Sequence, residues 1–181
     1  MATWFSDHYS TGLDQNSLPT LPSTTLPHAG IRHSRVRRSR ASATLTAIAS
    51  ADHVRMLTMK SSDRLYGLYC FTDGGLDATD LDIGVYLSGT NHDGAVIDAD
   101  VFGDGVNPTS PITAWDAADI IDNDGAVVGD DRGKALWALA SLVTSTYTTD
   151  PELLFDIAIT FNGANTVAGV INLVADYTAG D

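Results

Sequence analysis

From residue 42 onward, apolar and polar side chains alternate in short runs separated by Gly, Asp, Asn, Ser and Pro. That is the pattern of strands joined by turns. The longest example is residues 153–177, LLFDIAITFNGANTVAGVINLVADY. Side chains alternate sides along a strand, so Leu153, Phe155, Ile157, Ile159 and Phe161 share one face, and Val167, Ile171, Leu173, Ala175 and Tyr177 share another. Asn162, Gly163, Ala164 and Asn165 between them tolerate turn conformations, so the stretch is expected to be a β-hairpin whose apolar faces need a second layer. Asp156, Thr160, Asn172 and Asp176 fall on the opposite faces, which are expected to be wet or lightly covered.

The same reading places strands over residues 42–49, with small Ala residues on one face, over 54–59, and over 64–72, RLYGLYCFT. The last is nearly all apolar and predicts a central strand covered on both sides. Leu81, Ile83, Val85 and Leu87 alternate with Asp82, Gly84, Tyr86 and Ser88 and predict the clearest strand of the first half. Residues 89–111, rich in Asp, Asn, Gly and Pro, read as a long loop around a short apolar patch at Val96, Ile97, Val101 and Phe102. A short helix is expected over 111–121, entered after a proline. In residues 134–143, KALWALASLV, helical and strand spacings both fit, and the Ala and Leu content favours helix.

Residues 1–31 carry Pro19, Pro22 and Pro27, many Ser and Thr, and no periodicity of either kind. They predict an extended arm. Its large apolar groups, Trp4, Phe5 and Tyr9 among them, favour docking on another surface, and a floppy tail is the alternative. The chain therefore divides into an extended N-terminal arm, 1–40, and a body, 41–181. About seven strands without βαβ alternation or an internal repeat make the body a mainly β domain, an antiparallel β-sandwich or jelly-roll-like barrel with one or two short helices.

Charge sharpens this picture. The 181 residues carry a formal net charge of −13, but Arg32, Arg35, Arg37, Arg38 and Arg40 oppose only Asp7 and Asp14 in residues 1–40, so the rest is −16. Every acidic residue except Glu152 is Asp, which suits loops and turns better than helix interiors. An acidic body repels nucleic acid, and the basic run 32–40 fits an acidic protein surface or a solvated strand better than a nucleic acid. Mean hydropathy is +0.01 and no apolar run approaches the length of a membrane-spanning helix. Residues 1–10 have neither the basic start nor the apolar stretch of a signal peptide. The single Cys70, inside an apolar run, reads as core and rules out a disulfide framework within one chain.

Candidate chemistry is sparse. Asp98, Asp100 and Asp104, Asp73 to Asp82, and Asp122 to Asp131 form loops of the kind calcium uses, but none has EF-hand spacing. Solvated loops and no cofactor are expected. His8, His28, His33, His53 and His92 are dispersed, with no zinc spacing. No Ser sits in a nucleophile elbow and GDDRGK lacks Walker spacing, so no catalytic residue is nominated and the chain reads as a non-enzyme.

RVRRSRASATLT, DLDIGVYL with the acidic stretch through IDADVFGDG, LWALASLV followed by DPELLFDIAITF, and AGVINLVADYT together resemble small virion proteins of tailed bacteriophages, of the capsid-decoration (cement) type common in marine phages. The resemblance covers roughly residues 35–178. It implies a β-rich, non-enzymatic body, a homotrimer on the outer capsid surface, and the major capsid protein as partner, clamped across its subunit boundaries. Trp4, Phe5, Tyr9, Arg32, Arg35, Arg37, Arg38 and Arg40 would then be the partner-binding residues of the arm. Two alternatives stand beside it: another virion component, such as a tail, connector or head-fibre-base protein, and a calcium-assisted carbohydrate-binding β-sandwich using Trp115 and Trp137.

Overall fold

A computed structural model describes residues 36–78, 80–113, 119–121, 126–144 and 147–180. In chain order these form β1 (Arg37–Leu45), β2 (His53–Lys60), β3 (Arg64–Thr72), β4 (Leu81–Leu87), β5 (Val96–Val106), a 3-10 turn (Gly129–Asp131), α1 (Leu136–Thr144), β6 (Leu154–Phe161) and β7 (Gly169–Thr178). All named strand pairs are antiparallel. They make a three-stranded sheet, β1-β7-β3, and a four-stranded sheet, β2-β6-β4-β5, which face each other as a sandwich and do not close into a barrel.

β6 and β7 each occupy an interior position of their sheet. Phe155, Ile157, Ile159 and Phe161 of β6 and Ile171, Leu173 and Ala175 of β7 are fully buried in one cluster. These are the faces read from alternation, but the hairpin is not formed. β6 pairs with β2 and β4, while β7 pairs with β1 and β3, and residues 162–168 carry the chain from one sheet to the other. The physical reason is layering: a hairpin would point both apolar faces the same way, whereas an arch sets each against the other. Asn165, 1 % exposed, fixes the arch. It exchanges backbone hydrogen bonds with Ile48 at 2.9 and 2.8 Å, accepts the Asp77 N–H on Oδ1 at 2.9 Å, and donates from Nδ2 to Val167 O at 2.6 Å. Val167 lies outside β7 and is exposed, so it does not belong to the buried face.

Two further expectations are corrected, and a third falls partly outside the described residues. β3 is an edge strand, not a central one; β7 takes the middle place, and β3's outer edge is covered by bridges from Ile112, Asp119 and Ala135. The long loop over 89–111 contains β5, whose Asp and Gly residues mask the pattern because its pairing with β4 is repeatedly shifted. Such bulges break strict alternation. The helix expected over 111–121 falls partly on residues outside those described; its described ends, Ile112 and Asp119, bridge to Thr72 and Tyr69.

Helix α1 forms where the Ala and Leu content favoured it. Two of its first N–H groups, which have no partner within a helix, donate to the β2–β3 turn: Leu136 N to Asp63 O at 2.8 Å and Trp137 N to Ser61 O at 3.0 Å. No described helix is long and apolar enough to cross a membrane.

Candidate functional site

Asp156 is the first residue that the fold leaves chemically conspicuous. It points to the outer face of β6, expected to be wet, yet it is 0 % exposed. Its cover is the β4–β5 connection, residues 88–95, which folds back over the sheet. Asp156 Oδ1 accepts Thr58 Oγ1–H at 2.7 Å, and Oδ2 lies 2.9 Å from His92 Nδ1 and 3.7 Å from Arg55 Nη1. Arg55, 6 % exposed, donates Nη1–H to Leu87 O at 3.0 Å and Nη2–H to Gly94 O at 2.7 Å, and its guanidinium sits 4.2 Å from the centroid of the Tyr86 ring. One cation thus ties both ends of the connection while facing a buried carboxylate. Burial pulls its pKa down and the Asp156 carboxylate opposes that shift. Gly94 allows the close approach, since a Cβ there would lie 2.3 Å from Leu87 O.

Ser88, His92 and Asp156 share hydrogen bonds without forming a catalytic relay. Ser88 Oγ lies 3.3 Å from His92 Nδ1, the same nitrogen that meets Asp156. A relay needs the carboxylate on one ring nitrogen and the nucleophile on the other. A single Nδ1–H aimed at Asp156 has no lone pair to take the serine proton. The cluster is therefore a clasp for the 88–95 connection. Sequence reading missed it, although two signals existed: Asp156 is the lone charge inside β6, and Arg55 is the only arginine between Arg40 and Arg64.

The nominated partner-binding residues of the arm divide at the edge of the described region. Trp4, Phe5, Tyr9, Arg32 and Arg35 lie outside it, whereas Arg37, Arg38 and Arg40 stand in β1. Arg38 makes a bidentate pair with Asp176 of β7, Nε to Oδ1 at 2.7 Å and Nη2 to Oδ2 at 2.6 Å, which raises its pKa. Arg40 Nη2 donates to the neutral Asn172 Oδ1 at 2.9 Å. The structure thus brings Arg38 and Arg40 onto the outer face of the three-stranded sheet beside Tyr69, whose hydroxyl pKa is raised by burial and then by Asp119 and Asp176, while Arg37 falls by alternation on the other face at the strand's start.

Elsewhere the Asp-rich segments serve local structure. Asp77 receives Thr166 N–H at 2.6 Å, Thr166 Oγ1–H and Val167 N–H, which together hold its carboxyl below the usual range. Asp131 pairs with Lys134 and accepts Val128 N–H at 3.0 Å, with the same direction of shift. Among the described residues no three His, Cys, Asp or Glu side chains converge as a metal site would require. Of the two tryptophans of the carbohydrate-binding alternative, Trp137 packs against the core and Trp115 lies outside the described residues. Burial pushes the Cys70 thiol up to about 12, so it is an inert part of the core.

No protein-family model matches the chain, and no curated protein matches it. Two solved structures do. One, from the cyanophage Pam1 capsid asymmetric unit, is 15 % identical, with 90 % of this chain and 99 % of that chain covered, at a TM-score of 0.45. The other, from the capsid of Ralstonia phage GP4, is 14 % identical, with 82 % of this chain and 87 % of that chain covered, at a TM-score of 0.53. With that chain of the Ralstonia phage GP4 capsid, this protein shares its fold.

Proposed function

We propose that this protein is a non-enzymatic structural component of a tailed-phage virion, carried on the outer surface of the capsid. The observation that carries the reading is the fold shared with a chain of the Ralstonia phage GP4 capsid over most of both chains. The site geometry agrees in character. The buried polar cluster around Asp156 stabilises a connection, with Ser88 and Asp156 both meeting the same His92 nitrogen, Nδ1.

In this reading the partner is the major capsid protein, and the body sits as a homotrimer where capsid subunits meet. The segment before the body, read as an arm over 1–40 and preceding β1 as residues 1–35, reaches onto adjacent subunits, with Trp4, Phe5 and Tyr9 as anchors and Arg32 and Arg35 against acidic surface. Large anchors are needed because ordering an extended segment costs entropy that only well-filled pockets offset. Burying apolar area across subunit boundaries is what resists the outward pressure of packaged DNA.

The test is immunogold labelling and mass-spectrometric copy counting on virions whose genome encodes the chain. Labelling over the whole head, with a copy number that is a multiple of three per capsid face, is the expected result. Labelling confined to the tail or portal assigns a different virion role, and absence from virions overturns the proposal.

A further inference from the structure

The four sheet edges of this sandwich are not alike. β2 is interrupted by a bulge between Arg55 and Leu57. β3 is covered by the bridges from Ile112, Asp119 and Ala135. β5 is shifted repeatedly against β4, and Val127 N–H occupies Val101 O on it at 3.1 Å. β1 alone is long and regular: it pairs with β7 without a break from Arg37↔Tyr177 to Leu45↔Gly169. Among the described residues no backbone group hydrogen-bonds its other side. Bulges and covers are how proteins blunt an edge, and a straight uncovered edge is a template for another strand.

The side chains beside that edge specify what the strand would be. Arg38 and Arg40, exposed, flank it on the outer face with Ser42 and Thr44, while Ala41, Ala43 and Leu45, buried, flank it on the inner face. Arg38 is matched by Asp176, but Arg40 meets only a neutral amide in Asn172 and keeps its charge, while Arg37, at the strand's exposed start, falls by alternation on the opposite face. An added strand alternates its side chains between the same two faces. We infer that the free edge of β1 is a strand-addition site for an extended segment of another protein in which acidic residues alternate with apolar ones, the acidic set facing Arg38 and Arg40 and the apolar set extending the layer of Ala41, Ala43 and Leu45.

The backbone ladder supplies affinity and the two faces supply selectivity, as in other strand-addition interfaces. This run is also the basic part of an otherwise acidic chain, so like-charge repulsion elsewhere on the body directs an acidic segment here. The inference rests on the assembly reading for its biological setting, since it names a contact surface for a virion partner.

The test needs no particle, so its failure leaves the assembly reading standing. The full chain is titrated into labelled peptides of alternating Asp and Val, of alternating Lys and Val, and of Asp and Val with alternate amides N-methylated. Saturable binding of the first is expected, with at least ten-fold weaker binding of the other two. R40E should weaken binding of the acidic peptide at least ten-fold while leaving the circular dichroism spectrum unchanged. Hydrogen exchange should slow in β1 when the acidic peptide is added. Equal binding of acidic and basic peptides, or of the N-methylated peptide, overturns the inference. So does a parent chain that self-associates with β1 amides already protected, because a second copy would then own the edge.

Discussion

Asp156 and Arg55 show how a single residue sets the cost of a change in this protein. Both are buried and each faces the other, so removing one strands a charge out of water. Asp156→Ala is expected to lower stability by about 3–5 kcal/mol, the usual cost of breaking a buried pair, as read by urea denaturation. Replacing both by apolar residues (R55M with D156L) should cost less than that single change, and a larger loss would contradict the account. Gly84 sets a stricter limit: a Cβ there would lie 2.1 Å from Asp98 O, a backbone atom that cannot swing aside. Gly84→Ala should prevent β5 from pairing in its native place, seen as loss of soluble expression or of the thermal transition.

His53 gives the chain a pH dependence of known sign. Its ring stacks on Tyr86 at 4.9 Å, and burial, followed by the nearby Arg55 charge, lowers its pKa against a smaller upward pull from Asp52. The folded state therefore holds this proton less tightly than the unfolded chain does. Its contribution to stability is present above the ordinary histidine value of about 6.5 and is lost as pH falls through the depressed folded value. Tm should decline between pH 7 and 5, and His53→Phe, which keeps the stacking, should decline less. An identical decline would remove His53 as the cause.

At the scale of elements, the arch between β6 and β7 depends on one side chain. Asn165 uses both ends of its amide in a buried position, so Asn165→Ala should cost about 1–3 kcal/mol, the penalty for leaving buried groups unpaired. Chemical denaturation checks this, and a loss under half a kcal/mol would show that the arch is held by packing alone. The arch also marks where sequence reading stops. Alternation is a property of one strand and its two faces, so β3, β4, β6 and β7 were legible as strands in the residues themselves, and the core-facing sides of β4, β6 and β7 with them. Pairing partners are set by which apolar faces must cover each other, and nothing local to residues 162–165 distinguishes a hairpin from a crossing between sheets. β5 was hidden by its own bulges, and β3's edge position by the segments that cover it. The candidate site divided in the same way: Arg37, Arg38 and Arg40 were visible as a charge run, but the Asp156 clasp joins β2, β6 and the β4–β5 connection, which only the fold brings together.

For the molecule as a whole, the buried cluster of the described residues runs from Ala41 to Tyr177. A chain beginning at residue 36 should therefore fold, with a circular dichroism spectrum of the same shape and a Tm within a few degrees of the full chain. If the assembly reading holds, the same truncation should remove the protein from virion heads. A truncated chain that fails to fold would mean that residues 1–35 complete the core, and its absence from particles would then say nothing about docking.

β1 and β7 lie side by side and antiparallel, with Arg37 opposite Tyr177, so the chain enters and leaves the body at one end of one strand pair. A force that pulls these two points apart loads the backbone hydrogen bonds of that pair one after another. It peels the strands open, where a shearing load would meet all of them at once. The Arg38–Asp176 pair sits at the second rung to open, next to Arg37–Tyr177, as a clasp on a zip. A body tethered through its N-terminal segment would thus yield at β1 before the rest of the sandwich is strained. Pulling on residues 37 and 178 in a single-molecule experiment should give a lower rupture force than pulling across β2 and β6, and substituting Asp176→Asn should lower it further.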